Sequence, residues 1–293
     1  MVKYNTILLA TDFSEPAKKA LTEAVRLARK HDAELHVLYV DVIALQGAGA
    51  FSDPPIPDYI KEMNQVSMGA DQDLALNYGK SVVRIVRDNS EAAGIVRYAR
   101  EQAVDLIVTG THGRGVLSEL VLGSVAQAVV RQSPVSVMVV GLHAGELHTR
   151  CVLAPVDFSE RSRAALVQAA RLAAQGSARL VALNVVDFSR VAHPEELDIG
   201  ERERQAREEL ERFTASAALP LIAERLVTVG PGAGEILRIA AKVDAGLIVM
   251  AESGHTPLER LMLGSVCKAV IRSAPCPVLV YRETLAKEQR AAA

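Results

Sequence analysis

The sequence has little of what secreted, zinc-binding or membrane-spanning proteins are built from. It holds three cysteines in 293 residues, none in a C-x-x-C pair and none near a histidine pair at a zinc-site spacing. It has no run of 18 or more apolar residues, which argues against a membrane-spanning helix. No apolar stretch follows a basic start, so no signal peptide is predicted. We therefore expect a cytoplasmic protein with free thiols.

An excess of one charge is also missing. The 33 Lys and Arg residues nearly balance the 35 Asp and Glu residues, for a net charge of −2. Without a basic surface, neither nucleic acid nor a membrane surface is an expected partner. The hydrophobic content of 49% suffices for packed cores, and 293 residues indicate two domains at roughly 100–200 residues per domain.

The chain contains an internal repeat. The segment ILLATDFSE at 7–15 recurs as VLAPVDFSE at 152–160, and LGSV at 122–125 recurs at 263–266. The two offsets are 145 and 141, so the second copy is four residues shorter between the motifs. We predict two domains, 1–143 and 150–284, with a short polar linker within 141–150.

Apolar runs alternate with helical patterns in both copies. Such runs are typical of buried parallel strands, and the alternation predicts two tandem doubly wound α/β domains, each with a five-stranded parallel sheet. Ser14 is the predicted N-cap of the first helix, with Pro16 in its first turn. In the first copy, strands are predicted at 6–11, 35–40, 82–86, 106–109 and 135–140, and further helices near 59–78, 91–102 and 124–131. In the second copy, the repeat of the first-strand segment begins at Val152, and matching strands are predicted at 180–185, 226–229, 247–250 and 278–281.

Unusual residues cluster after two strands of the first copy. Asp12 follows the first strand, and the segment GTHGRG at 110–115 follows the fourth. If these strands are neighbours, both groups line one crevice at the carboxyl edge of the sheet. Gly123 and Ser124 open the next helix, whose N–H groups and dipole can hold phosphate. The alternative is that the glycines are turn and cap residues.

The side chains of this cluster suit a nucleotide. Gly110 and Gly113 would let the backbone approach a ligand closely. His112 and Arg114 can donate hydrogen bonds or supply positive charge. Asp12 suits a ribose hydroxyl, an amino group or a metal ion, although no dedicated metal site is readable.

The spacing of these glycines resembles a known signature. Gly110-x-x-Gly113, nine residues, then Gly123-Ser124 is similar to the G-x-x-G-x(9)-G-[S/T] motif of ATP-binding universal stress proteins. The flanking segments ATDFS at 10–14 and SPVSV at 133–137 agree with it. The resemblance implies that Asp12 and Val40 contact ribose and adenine. It places the remaining contacts near the phosphates, at Thr11, Gly110, Thr111, His112, Gly113, Arg114, Gly123, Ser124 and Val125.

The resemblance also implies partners. The ligand would be ATP or another adenine nucleotide, and Mg²⁺ or Mn²⁺ would accompany a triphosphate. The fifth strands of the two copies would pair, 135–140 against 278–281. The chain would form a homodimer and meet a protein partner that the sequence does not identify.

The second copy departs from the motif. Ala251 stands at the first glycine position and Glu252 replaces Thr111. Glu252 would repel phosphate if it pointed inward. We therefore expect the first site to bind and the second to be weakened or altered. The residues of this tentative second site are Asp157, Val185, Gly254, Gly264, Ser265 and Val266.

Three functions are compatible with these patterns. The first is an adenine-nucleotide-binding stress-response or signalling protein, in which the nucleotide switches conformation or partner. The second is a slow ATPase or phosphoryl-transfer enzyme, for which no catalytic residue is predicted. The third is a dimerisation scaffold that binds no nucleotide.

Two other motifs are set aside. Gly79-Lys80-Ser81 lacks the earlier glycine of a P-loop, where Leu74 stands. The glycines at 230, 232 and 234 lack the last glycine of a dinucleotide fingerprint, where Glu235 stands.

Overall fold

The computed structural model describes residues 2–42, 78–112, 122–148, 150–188, 198–217, 219, 224–252 and 263–283. The predicted helix near 59–78 lies outside these ranges except for Tyr78, which is in a turn. Gly113, Arg114 and Gly254 of the predicted sites also lie outside the described residues.

Strands and helices alternate through the described chain, and each predicted strand is present within two residues of its expected ends. The strands are β1 (Thr6–Ala10), β2 (Glu34–Val42), β3 (Ser81–Asp88), β4 (Leu106–Gly110), β5 (Ser136–Val140), β6 (Cys151–Val156), β7 (Arg179–Val186), β8 (Glu224–Val229), β9 (Leu247–Ala251) and β10 (Val278–Tyr281). The helices are α1 (Glu15–His31), α2 (Glu91–Glu101), α3 (Ser124–Gln132), α4 (Glu160–Gln175), α5 (Ile199–Ser216), α6 (Gly232–Lys242) and α7 (Ser265–Ser273). In the described ranges, no helix is long and apolar enough to cross a membrane.

All ten strands form one sheet in the order β3-β2-β1-β4-β5-β10-β9-β6-β7-β8. Neighbours within each half are parallel, which confirms the tandem doubly wound α/β fold. The halves meet at β5 and β10, which pair antiparallel with Leu279 opposite Met138. β1 pairs with both β2 and β4, so the winding reverses there and a crevice opens at the carboxyl edge.

The period of two along the strands builds a core on each face of the sheet. Ile7 and Leu9 of β1 point to the face that α1 covers, where they pack with Leu21. Leu8 and Ala10 point to the opposite face, which α2 and α3 cover. Because both faces of the central strands are buried, β4 and β6 are nearly all apolar instead of alternating, whereas the edge strands β3 and β8 carry charged residues.

The start of α1 lies where it was predicted. Ser14 occupies the N-cap position with φ −72° and ψ 165°, and Pro16 lies in the first turn. The predicted N-cap position of Ser14 is therefore confirmed, although its side chain makes no hydrogen bond to the helix N-terminus. Its hydroxyl is used in the crevice instead.

The two copies differ where their central strands separate. β1 and β4 pair over four residues, from Ile7 to Ala10. The corresponding pair in the second copy, β6 and β9, extends over Val152 and Leu153 only. Pro155, two residues further along β6, has no N–H with which to continue a ladder. The carboxyl edge of the second copy is therefore built differently from that of the first.

Candidate functional site

A cavity of about 360 Å³ opens at the carboxyl ends of β1, β2 and β4. The N-termini of α2 and α3 close its other side. Its lining consists of Ala10, Thr11, Asp12, Leu38, Tyr39, Val40, Glu91, Ile95, Thr109, Gly110, Thr111, His112, Gly123, Ser124, Val125 and Ala126. The structure thus brings together nine of the predicted residues: Thr11, Asp12, Val40, Gly110, Thr111, His112, Gly123, Ser124 and Val125.

The turn after β1 orients the one carboxylate that the prediction placed here. Asp12 Oδ1 accepts hydrogen bonds from the Ser14 N–H at 3.1 Å and the Ser14 hydroxyl at 2.6 Å. Phe13 has φ of 63°, a conformation that costs about 1 kcal/mol for a residue with a Cβ. Thr11 Oγ1 accepts the Phe13 N–H at 3.0 Å, and the Phe13 ring stacks on Tyr39 with centroids 5.6 Å apart. These contacts hold the strained turn and with it the Asp12 carboxylate.

The N-terminus of α3 presents backbone donors at the cavity. The first intrahelical hydrogen bond runs from the Gln127 N–H to the Gly123 carbonyl at 3.0 Å. The N–H groups of residues 124–126 therefore have no acceptor within the helix. The Gly123 N–H bonds to the Thr111 carbonyl at 2.9 Å, which ties the helix start to the end of β4. This arrangement, with the positive end of the helix dipole, suits an anionic group.

Close backbone packing explains both described glycines of the motif. A Cβ on Gly123 would lie 3.0 Å from the Thr111 carbonyl oxygen. A Cβ on Gly110 would lie 2.9 Å from the carbonyl carbon of Pro16 and 3.1 Å from the backbone nitrogen of Ala17. Gly110 therefore lets the first turn of α1 approach the end of β4. This packing role adds to the predicted role of admitting a ligand.

His112 offers a ring nitrogen in the cavity wall. Its Nδ1 lies 2.9 Å from Thr111 Oγ1, and which of the two atoms donates depends on the tautomer. Its Nε2 is buried and has no hydrogen-bond partner among the described residues. A buried polar atom of this kind favours a ligand that supplies the missing partner.

Several lining residues were not predicted from the sequence. Leu38, Ile95 and Ala126 give the cavity an apolar part, next to Tyr39 and Glu91. Glu91 begins α2 immediately after β3, and Ile95 lies one turn further along. The signal available was their position at the carboxyl edge, because every helix that follows a strand of a parallel sheet starts there.

The second copy keeps the frame of the site. Asp157 Oδ1 accepts the Ser159 N–H at 3.1 Å and the Ser159 hydroxyl at 2.5 Å, and Phe158 has φ of 64°. The Gly264 N–H bonds to the Glu252 carbonyl at 3.1 Å, as Gly123 does to Thr111. Ser265 begins α7 as Ser124 begins α3.

Two carboxylates of the second copy, Glu252 and Asp187, bind groups of the protein itself. Glu252 Oε1 accepts a hydrogen bond from Arg161 Nη1 at 3.1 Å, and its Oε2 pairs with Arg282. The N–H of Gly232, at the start of α6, donates to Asp187 Oδ2 at 2.8 Å. Val185 and Val266 of the tentative second site pack against the hydrophobic core as half-buried residues.

The motifs set aside from the sequence have structural roles. Lys80 lies at the start of β3 and pairs with Asp32 at 2.5 Å on the surface. Gly230 has φ of 149° just before α6, whereas Gly232 and Gly234 lie in the first turn of that helix, where Asp187 accepts the Gly232 N–H. Within the described segments, no group of three His, Cys, Asp or Glu side chains could hold a metal ion.

Comparison with known proteins agrees with this architecture. The model of the universal stress protein family matches residues 3–141 and again residues 148–282. A universal stress protein of Methanocaldococcus jannaschii is 31% identical over 141 residues, covering 47% of this chain and 82% of that protein. A putative universal stress protein of Staphylococcus epidermidis is 29% identical over 142 residues, covering 48% of this chain and 86% of that protein.

Solved structures resemble the whole chain. A universal stress protein from Archaeoglobus fulgidus has a TM-score of 0.67 at 23% identity, covering 96% of this chain and 97% of that one. A putative universal stress protein from Pseudomonas aeruginosa has a TM-score of 0.66 at 18% identity, covering 99% and 98%. At these identities the likeness establishes the fold. With its two family-model matches, one in each half, the chain belongs to the universal stress protein family.

Proposed function

We propose that the cavity of the first copy binds an adenine nucleotide, with ATP as the leading candidate. On this proposal the chain is a stress-response or signalling protein in which the nucleotide switches conformation or partner. One observation supports it most strongly: a single cavity combines apolar lining residues, the N-terminus of α3 and the Asp12 carboxylate. A base, a phosphate and a ribose need these three environments.

The polar contacts divide among the parts of the ligand. The N–H groups at 124–126 would hold a phosphate, supported by the unpaired Nε2 of His112. Asp12, oriented by Ser14, would accept from ribose hydroxyls. Val40 and Ile95 would pack against the base. Mg²⁺ or Mn²⁺ would arrive with a triphosphate, since phosphate oxygens are ligands that these ions prefer.

Calorimetric titration of the nucleotide-stripped chain with Mg-ATP tests the proposal. We expect one site per chain, and we expect Gly123→Val to abolish binding because its side chain would collide with the Thr111 carbonyl. Gly264→Val, at the matching position of the second copy, is the control and should leave the affinity unchanged. A thermal melt of each variant establishes that it folds. A wild-type chain that does not bind would overturn the proposal, and two equal sites would refute the difference between the copies.

Location and assembly form a second part of the proposal. We propose that the chain acts in the cytoplasm as a homodimer, and that the bound nucleotide controls its binding to a protein partner. All three cysteines are unpaired and buried, as a reducing compartment permits. Light scattering with and without ATP would measure the assembly, and a monomer at all concentrations would contradict the dimer.

A further inference from the structure

The Arg282 side chain, which follows β10, crosses from the second half of the sheet to the first. Its Nη1 donates to the Ser133 carbonyl at 2.6 Å, and its Nη2 donates to the Arg131 carbonyl at 3.0 Å and the Val130 carbonyl at 3.4 Å. These carbonyls lie at the C-terminus of α3. The last carbonyls of a helix lack partners within it, and a cation there also complements the dipole. Arg282 therefore binds the end of α3 opposite to the proposed phosphate site.

The backbone of Arg282 is held in the same place. Its N–H donates to Ser136 Oγ at 3.1 Å, and the Ser136 hydroxyl lies 3.2 Å from its carbonyl. Ser136 begins β5, next to the end of α3. The backbone of Arg282 is therefore held next to the start of β5, which places its side chain close to the C-terminus of α3.

Because α3 is short, the Arg282 contacts at its C-terminus lie close to the cavity at its N-terminus. It has nine residues, or roughly 13 Å at 1.5 Å per residue, and connects the Arg282 contacts to the cavity. At the other end, the Gly123 N–H bonds to the Thr111 carbonyl. A rigid helix held at both ends presents the N–H groups at 124–126 in one fixed position.

Glu252, which follows β9, holds the Arg282 side chain in place. Its Oε2 pairs with Arg282 Nη2 and its Oε1 accepts from Arg161 Nη1 at 3.1 Å, with its side chain 14% exposed. By the repeat offsets, Glu252 stands where the first copy has Thr111, and Arg161 stands where it has Pro16. Glu252, which departs from the nucleotide motif, thus forms part of the support of Arg282.

The equivalent position of the first copy has no side chain that could make the same contact. The repeat places Gly141 of the first copy where the second has Arg282, and glycine has no side chain to bind the C-terminus of α7. A Cβ at Gly141 would lie 3.9 Å from the Ala274 carbonyl, the counterpart of the Ser133 carbonyl. Among the described residues, Gly141 therefore cannot give α7 the side-chain contact that Arg282 gives α3.

We propose that Glu252 and Arg282 are positioning residues for the first site. They hold α3 so that its first turn is ready for the anionic group of the ligand. The second copy has exchanged nucleotide contacts for this support. The inference rests on the proposed function for its ligand, but the mechanical link can be measured without one.

Amide hydrogen exchange of the ligand-free chain tests the link itself. In Arg282→Gln, we expect faster exchange of the Gln127 amide, whose bond to the Gly123 carbonyl closes the first turn of α3. Arg131→Gln is the matched control, because it removes the same charge from the same end of α3 at an exposed side chain. Exchange at Gln127 that is equal in Arg282→Gln and the wild type, in chains that both fold, would overturn the inference.

Nucleotide titration then tests what the link is for. We expect Arg282→Gln to weaken ATP binding on the order of tenfold while adenosine, which has no phosphate, binds as in the wild type. Glu252→Gln should weaken ATP binding less, and the double variant should be no worse than Arg282→Gln, because both act through one guanidinium. Arg282→Lys should restore part of the loss.

The outcomes separate the two proposals. Equal loss of ATP and adenosine would show a general structural role and overturn the positioning role. An unchanged ATP affinity in Arg282→Gln would do the same. A wild type that binds neither ligand would overturn the proposed function and the ligand part of this inference, and the exchange result alone would then decide the mechanical link.

Discussion

The hydroxyl of Ser14 donates to Asp12 Oδ1 at 2.6 Å instead of accepting an N–H from the first turn of α1. Its counterpart Ser159 does both, since it donates to Asp157 Oδ1 at 2.5 Å and accepts the Ser162 N–H at 3.1 Å. The two serines occupy the same place in the repeat, but they divide their hydrogen bonds differently between site and helix.

This difference predicts opposite effects of one substitution in the two copies. Ser14→Ala should lower the affinity for ATP by roughly 2- to 10-fold, because the Asp12 carboxylate loses the Ser14 hydroxyl hydrogen bond that orients it. Its effect on stability should be below about 0.5 kcal/mol, since no capping bond is lost. Ser159→Ala should cost about 1 kcal/mol of stability and leave ATP affinity unchanged. Denaturant unfolding and calorimetry measure the two quantities, and equal effects of both variants on either would contradict the assignment.

The linker lies against Gly246, the residue before β9, and this contact predicts a severe effect of one substitution. A Cβ on Gly246 would overlap the backbone carbonyl and the ring of His148. Gly246→Ala should therefore destabilise the chain by about 1–3 kcal/mol, because the linker must move. Gly234→Ala is the control, since its nearest neighbour would be Pro231 Cβ at 3.9 Å and alanine favours the helix. Urea midpoints measure both, and a neutral Gly246→Ala would show that the linker does not rest there.

A buried carboxylate predicts a pH dependence of stability. The Glu23 side chain is 4% exposed, and burial raises its pKa above the ordinary value of 4.5, although the Leu147 N–H and Arg26 oppose the shift. For a carboxyl whose pKa is raised by folding, the stabilising contribution is present below pH 4.5 and is lost as the pH rises through the native pKa.

Glu23→Gln should remove this dependence, because the amide does not ionise and its oxygen can still accept the Leu147 N–H. The stability of the variant relative to the wild type should therefore increase as the pH rises from about 4.5 to 7. Urea unfolding across that range provides the measurement. Two stability curves that run parallel in pH would rule out a raised pKa for Glu23.

The thiols should be unreactive in the folded chain. Cys151, Cys267 and Cys276 are each at most 3% exposed, and burial raises the pKa of all three, that of Cys276 to about 12. Because the thiolate is the reactive form, labelling at pH 8 should be slow in the native chain and should reach three equivalents in urea. Rapid stoichiometric labelling of the native chain would contradict this burial.

Local signals sufficed for much of the fold. The apolar runs at β1, β4 and β5 are buried on both faces, and such strands are recognisable because they are nearly all apolar instead of alternating. Pro16 marked the start of α1 correctly. The N-cap position of Ser14 was predicted correctly, but its bond to Asp12 was not, because that acceptor comes within reach only in the folded turn.

Part of the site could also be predicted from local sequence signals. Asp12, Gly123 and Ser124 adjoin strand ends and helix starts, so position in the repeat identified them. Ile95 and Tyr39 carry no such mark, since any apolar helix or strand residue looks alike until the sheet order is known. The packing of Gly110 against Pro16 depends on an approach between elements that no spacing reveals.

By itself, then, the sequence determined the tandem α/β organisation, the strand and helix positions, and the motif residues, because hydrophobic period, repetition and glycine spacing are local properties. The tertiary structure alone decided the apolar part of the cavity and the contacts of Glu252 with Arg161 and Arg282. It also decided the bond from Arg282 to the Ser133 carbonyl, 149 residues earlier in the chain. Such contacts arise where the antiparallel β5–β10 pair brings the two halves together, and their partners are set by the folded geometry and not by any local pattern.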